Sequence, residues 1–165
     1  MAKTLLITII AALSIVNAQA NLGDTMQQVE NAFPPLPHDS NVDVVGKDGL
    51  LHSTDDLWHY YRIRDVYVLG HIYDRNGISV ATSYCAWKRD LTKAEADNFL
   101  LTNGFSFEAK YWKQLPDLDI YTVWISRDHR YRVTMRWRDI EHKEGLCEIC
   151  LWTEQAYEIV TSRID

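Results

Sequence analysis

The chain has 165 residues, with 17 basic side chains against 23 acidic ones and a formal net charge of −6. That balance excludes a general nucleic-acid binder, which needs a basic footprint to displace counterions. An apolar content of 47% with six Trp and nine Tyr excludes a disordered tail, and the length suits one hydrophobic core rather than two.

The chain opens Met-Ala-Lys3, runs through the apolar stretch "TLLITIIAALSIV", and reaches "NAQA", where Ala18 and Ala20 supply the small residues of a cleavage site. This predicts a secretory signal over 1–20 and a periplasmic or secreted location. The apolar run is shorter than the ~20 residues a membrane span needs, and no later stretch reaches that length. No cysteine follows the small residues, so lipid attachment there is not expected. The remainder, 21–165, is expected to form a single domain.

The first helix is predicted in "GDTMQQVENAF": Asp24 or Thr25 caps it, and Gln28 stands three residues after Thr25, the spacing of a capping box. Met26, Val29, Ala32 and Phe33 make its apolar face, and "PPLP" at 34–37 ends it. The polar stretch 38–56, with Gly46 and Gly49, reads as a long loop. Strands follow in "LWHYYRI", "VYVLGHIYD" and "ISVATSYCAW"; Asn76-Gly77 between the last two is a strong hairpin signal. A second helix is predicted in "LTKAEADNFLLTNG", with Thr92 as cap, Glu95 completing the box, Ala96, Phe99 and Leu100 as the apolar stripe and Gly104 as the stop. Strands return in "FEAKYWKQ", "DIYTVWIS" and "YRVTMRWRD", the last two joined by a tight Arg-Asp-His-Arg connection. "LCEICLW" is the final strand, and "TEQAYEIVTSRID" is ambiguous.

The two parts of the chain align with each other. "TMQQVENAF" lies over "TKAEADNFL", pairing Thr25 with Thr92 and Phe33 with Leu100, and "IYDRNGISV" lies over "ISRDHRYRV", pairing Ile72 with Ile125 and Val80 with Val133. The expected fold is therefore α+β: two tandem helix-plus-antiparallel-strand units, 21–87 and 88–165, forming one mainly antiparallel sheet with helices packed on one face.

"LGDTMQQVENAFPPLP" resembles the short helix motif near the mature N-terminus of exported proteins with the β-lactamase-inhibitor-protein-like fold, a superfamily that includes a small outer-membrane assembly lipoprotein family. Gly23, Thr25, Val29 and Pro34 carry the match. The resemblance implies an exported α+β domain that binds other proteins with its sheet and catalyses nothing. The absence of a lipid-attachment cysteine separates the chain from the lipoprotein branch.

Three cysteines need an account. A redox-active Cys-x-x-Cys sits at a helix N-terminus beside a cation, whereas Cys147 and Cys150 flank Glu148 in a stretch that alternates like a strand. Residues three apart on a strand point to opposite faces with Cα atoms ~10 Å apart, beyond the ~7 Å a disulfide tolerates. Cys85–Cys147 is then the most natural bridge, with Cys85–Cys150 or three free thiols as alternatives, and an unpaired Cys150 as a route to a dimer. No close Cys/His set suggests zinc, no cofactor is expected, and neither a nucleophile elbow, a P-loop nor a dinucleotide fingerprint is present.

The remaining signal is a stripe of arginines and aromatics. Arg132, Arg136 and Arg138 share the face of "YRVTMRWR" opposite Val133 and Met135; Trp58, Tyr60, Arg62 and Arg64 fall together on "LWHYYRIR"; Trp124 opposes Tyr121 and Val123. These residue types are enriched at binding hot spots. They predict a non-catalytic binding or inhibitor-like module that meets a protein or anionic glycan through one sheet face; a solvated sheet face is the plain alternative. The competing functional class is a small exported hydrolase whose catalytic set the sequence does not name.

Overall fold

The computed structural model describes residues 20–36, 58–63, 66–86 and 88–161. The expected leader up to residue 19, the 38–56 loop and Arg64 lie outside them. Helix α1 (Met26–Ala32) is followed by strands β1 (His59–Ile63), β2 (Tyr67–Tyr73) and β3 (Ser79–Ala86), helix α2 (Lys93–Thr102), strands β4 (Trp112–Gln114), β5 (Tyr121–Ser126), β6 (Tyr131–Asp139) and β7 (Glu144–Thr153), and helix α3 (Glu154–Thr161).

Both helix starts are set by side chains, as their sequences require. Thr25 accepts from the Gln28 N–H at 3.2 Å while the Gln28 side chain accepts from the Thr25 N–H at 2.7 Å. Thr92 and Glu95 repeat the arrangement at 3.2 and 2.8 Å. Gly104, at φ +82°, takes the left-handed conformation that ends α2. In the β2–β3 hairpin Asp74 organises the turn, its carboxylate accepting from the N–H groups of Asn76 and Ile78 at 2.8 and 2.9 Å, with Gly77 at φ +72°.

The strands form one antiparallel sheet of seven, in the order β1-β2-β3-β7-β6-β5-β4. Two meanders run inward from opposite edges, and β7 joins them at the centre. The outer side of β1 is occupied by the segment after α1: Pro35 bridges Tyr61, and the Leu36 N–H donates to Tyr60 at 2.8 Å. The stretch 34–36 thus ends the helix and also covers a sheet edge, where proline's missing donor does little harm. At the other edge β4 is only three residues long, shorter than the predicted run over 107–114. A turn forms first, with the Tyr111 N–H donating to Glu108 O at 2.9 Å and Lys110 pairing with Glu108 at 2.7 Å.

Val29 of α1, Phe33 at its C-cap, and Ala96, Phe99 and Leu100 of α2 share the main core with Tyr61, Leu69, Tyr84, Val133, Ile149 and Leu151 of the strands. Phe99 stacks on Tyr84 at 5.6 Å. This is the first face of the sheet, and Ala20, the last residue of the expected leader, is buried in the same cluster. Helix α3 lies on the other face, where Tyr157 and Val160 pack on a cluster of Ile72, Ala81, Cys150 and Trp152. The expectation of all helices on one face is corrected accordingly. The chain passes directly from β7 into α3, so Tyr157 folds back onto the Trp152 side of its own strand.

The start of α2 is tied to the sheet. Glu95 receives the Tyr67 hydroxyl and the Arg89 guanidinium, which also lies 5.4 Å from the centre of the Tyr67 ring. Arg89, aided by the donors of Tyr67 and Thr92, holds the Glu95 carboxyl far below its usual range. A depressed carboxylate contributes stability that is in place above its unfolded value of ~4.3 and is lost as pH falls below it. Glu95→Gln is therefore expected to be less stable than the parent at neutral pH and to lose less on acidification. Thermal melts of the two proteins should converge toward strongly acid pH; a constant gap across the series would contradict this account.

Candidate functional site on the second face

The strand register builds the second face row by row. One row runs Tyr60, Gly70, Ser83, Cys150, Thr134, Val123; the next runs Arg62, Val68, Cys85, Glu148, Arg136, Tyr121. A third brings Ile72, Ala81, Trp152, Arg132 and Ile125 into line.

An aromatic ladder crosses this face. Trp58 and Tyr60 stack at 6.2 Å, Trp58 meets the edge of Trp152 at 5.4 Å, and Trp152 meets Tyr157 at 5.7 Å. Arg132 ends the ladder, its guanidinium 3.9 Å above the Tyr157 ring and its Nε donating to Glu154 at 2.9 Å. Trp152 is fixed in turn by its Nε1–H, which donates to Thr134 at 3.1 Å. Gly70 makes room for the ladder. A Cβ there would stand 2.5 Å from the Ser83 hydroxyl and 3.0 Å from both the Trp58 and Tyr60 rings.

Beside the ladder lies a buried ion pair. Arg136 and Glu148 face each other across β6 and β7 with Nε and Oε2 3.6 Å apart and side chains only 3% and 6% exposed. The separation exceeds a hydrogen bond, and Nε and Nη2 of Arg136 have no hydrogen-bond partner. Burial raises the Glu148 carboxyl above its ordinary value, opposed by the Arg136 charge and by donors from Cys150 and Ser83.

The structure brings together some of the predicted residues and separates others. Trp58, Tyr60 and Arg132 belong to the ladder, and Arg62 is exposed in the next row. Arg136 is committed to Glu148, and Arg138 reaches Asp90 at 2.6 Å. Trp124 is corrected to the first face: it sits opposite Val133 and meets Phe107 edge-on at 4.8 Å. Sequence reading missed Trp152 and Tyr157 because α3 was ambiguous. It set Glu148 in an alternating strand without showing that Arg136 on a neighbouring strand was its partner.

None of the three cysteines is in a disulfide. The Cys85–Cys147 bridge is corrected by the register, which sets Cys85 directly opposite Glu148, while the Cys147 thiol lies 3.2 Å from Gly145 O. A dimer through Cys150 is also unsupported, since that residue is 6% exposed. Burial pushes the Cys85 and Cys150 thiols well above their usual value, which keeps them protonated and poor nucleophiles. His71 and Ser79 look at first like a catalytic dyad, with Nδ1 and Oγ 2.7 Å apart. The Ser79 hydroxyl, however, has the Ala81 carbonyl as its acceptor at 3.1 Å, so the histidine must donate. His71 is fully buried, and desolvation lowers it to about 3; the pair is a core contact. No group of three or more potential metal ligands occurs among the described residues, and no described helix is long and apolar enough to cross a membrane.

Neither protein-family models, nor curated proteins, nor solved structures give a match to this chain.

Two outcomes test the site's construction. Arg136→Met should cost about 3–5 kcal/mol by stranding a buried carboxyl, and the double change Arg136→Met with Glu148→Leu should recover most of that loss in urea unfolding; simple additivity would refute the pairing. Gly70→Ala should cost about 1–3 kcal/mol as the rings above it are displaced, with a change in near-ultraviolet circular dichroism from Trp58.

Proposed function

We propose that the protein is an exported, non-catalytic binding module, inhibitor-like in kind, that recognises another macromolecule through the second face of its sheet. The carrying observation is the aromatic ladder. Trp58, Tyr60 and Tyr157 are half-buried, held by stacking and edge contacts, and bordered by the exposed Arg62. Rigid aromatics lose little entropy on binding, and with arginine they dominate hot spots. A periplasmic or secreted location accompanies this reading and rests on the leader. So does descent from two helix-plus-strand units: Thr25 and Thr92 cap α1 and α2 with nearly the same backbone angles, φ −76° and −79°. The likeness of the first helix to the β-lactamase-inhibitor-protein-like superfamily points the same way, and a protein is the favoured partner.

The rival reading, a small hydrolase, has the His71–Ser79 contact as its one structural support, and the direction of that hydrogen bond and the burial of both residues argue against it.

Pull-down from periplasmic extract with the leaderless protein should retain a stoichiometric protein. Arg62→Glu and Tyr157→Ala should each weaken that complex by about tenfold or more with the fold intact by circular dichroism. Retention by both variants would refute the sheet-face reading, and turnover of an ester or peptide substrate by purified protein would favour the hydrolase.

A further inference from the structure

A cleft of about 480 Å³ opens between the segment 104–112 and the β5–β6 turn, away from the ladder. Its size lies within the ~300–1,000 Å³ of small-molecule sites. Phe105, Tyr111, Trp112, Arg127, Asp128 and Tyr131 form its chemically distinctive lining.

The floor is rigid. Trp112 is 5% exposed with its Nε1–H donating to Ser106 O at 3.0 Å, and Phe105 packs on Tyr131 at 4.8 Å. Tyr111 differs: it is 51% exposed, so the fold gives its ring little burial, and the Lys110 ammonium lies 4.7 Å from the ring centre. Asp128 is fixed at the rim, one carboxylate oxygen accepting from the Ser126 hydroxyl at 2.6 Å and the Arg130 N–H at 3.2 Å. Its second oxygen has no hydrogen-bond partner among the described residues. The Arg127 N–H donates to Tyr111 O at 3.0 Å, which ties the two walls together. The Arg127 guanidinium has the Ala109 carbonyl at 3.5 Å and no ion pair among the described residues.

An exposed ring, a positioned carboxylate acceptor and a guanidinium without a counter-charge, all on one cleft, select a ligand by chemistry. A purely apolar molecule would strip water from Arg127 and Asp128 without replacing it. A phosphate carries up to two negative charges and a tetrahedral array of oxygens, so it meets more repulsion from Asp128 than the single charge of a planar carboxylate does. A sugar ring offers a C–H face to Tyr111 and hydroxyl donors to Asp128, and a carboxylate on that sugar would complete Arg127 with a planar, bidentate pair. We propose that the cleft is a binding site for an acidic saccharide, a uronate-bearing oligosaccharide about two rings long, with Tyr111 as stacking platform, Asp128 as hydroxyl acceptor and Arg127 as carboxylate partner.

Titration calorimetry and amide chemical-shift mapping with digalacturonate, and with the neutral disaccharide cellobiose as its control, test this directly. Digalacturonate should bind saturably and shift amides in 104–112 and 126–131. Affinity should fall about tenfold or more in Tyr111→Ala and in Arg127→Ala, and stay unchanged in Gln155→Ala, an exposed position on α3 at the other face. Cellobiose should bind more weakly. Absence of saturable digalacturonate binding overturns the site, as does binding that both cleft variants leave intact; equal affinity for cellobiose overturns the acidic class.

Discussion

Everything in this sheet depends on β7. It lies at the centre of the sheet where the two meanders join, with β3 on one side and β6 on the other, and it is buried on both faces from Leu146 to Trp152. A central strand of this kind must satisfy its backbone through the ladder and fill two cores at once. Ile149 and Leu151 supply the first core; Cys150 and Trp152 supply the second. Glu148 breaks the apolar pattern, and a lone carboxylate at 5% exposure would be prohibitive. Arg136, its register partner on β6, answers it directly across the two strands. Buried pairs of this type seldom stabilise more than well-packed hydrophobes would, yet breaking one partner is costly. The pair therefore acts chiefly on register: a slip of β6 against β7 by one residue would send Arg136 into the core that holds Met135.

Much of the architecture was readable in the sequence because its determinants are local. Thr25 with Gln28 and Thr92 with Glu95 are short-range hydrogen-bond devices, and Asp74 to Gly77 is a self-contained turn. Strand existence followed from alternation, which is why β6 spans the predicted residues while the β4 run shortened where a turn competed at Glu108. Helix α3 was the exception. Its Tyr157, Ile159, Val160 and Thr161 suit a strand as well as a helix, and its first turn begins directly from a strand, so nothing local marks where the sheet ends.

The candidate site was readable only in part, for a different reason. Alternation says which side of its own strand a residue occupies, but not which side of the sheet that is, or what covers it. Arg132, Arg136 and Arg138 share a side in the sequence and have three separate fates in the fold: a clamp on Glu154 and Tyr157, a buried pair with Glu148, and a surface contact with Asp90. Trp124 landed on the wrong face because face assignment between distant strands needs the strand order, and the placement of β7 between β3 and β6 is a long-range fact. The ladder needed the same information, since β2 and β3 lie between β1 and β7 and Trp58 reaches Trp152 across them with its ring lying low over Gly70.

The arginines that looked like an exposed binding stripe are mostly consumed in holding the face together, and this changes what kind of surface the face can be. With Arg132 seated on Tyr157 and Trp152 tied to Thr134, the ladder's rings have little freedom left before any partner arrives. Ordering long side chains is among the larger costs of association, and a surface that meets it during folding leaves more of the contact energy for affinity. The same locking narrows the range of partners, since rings that cannot turn cannot adapt to a second shape. For the proposed binding face, internal commitment of the charged residues thus works against a steering, charge-driven contact and in favour of a rigid one, read by the shape of its aromatic edges.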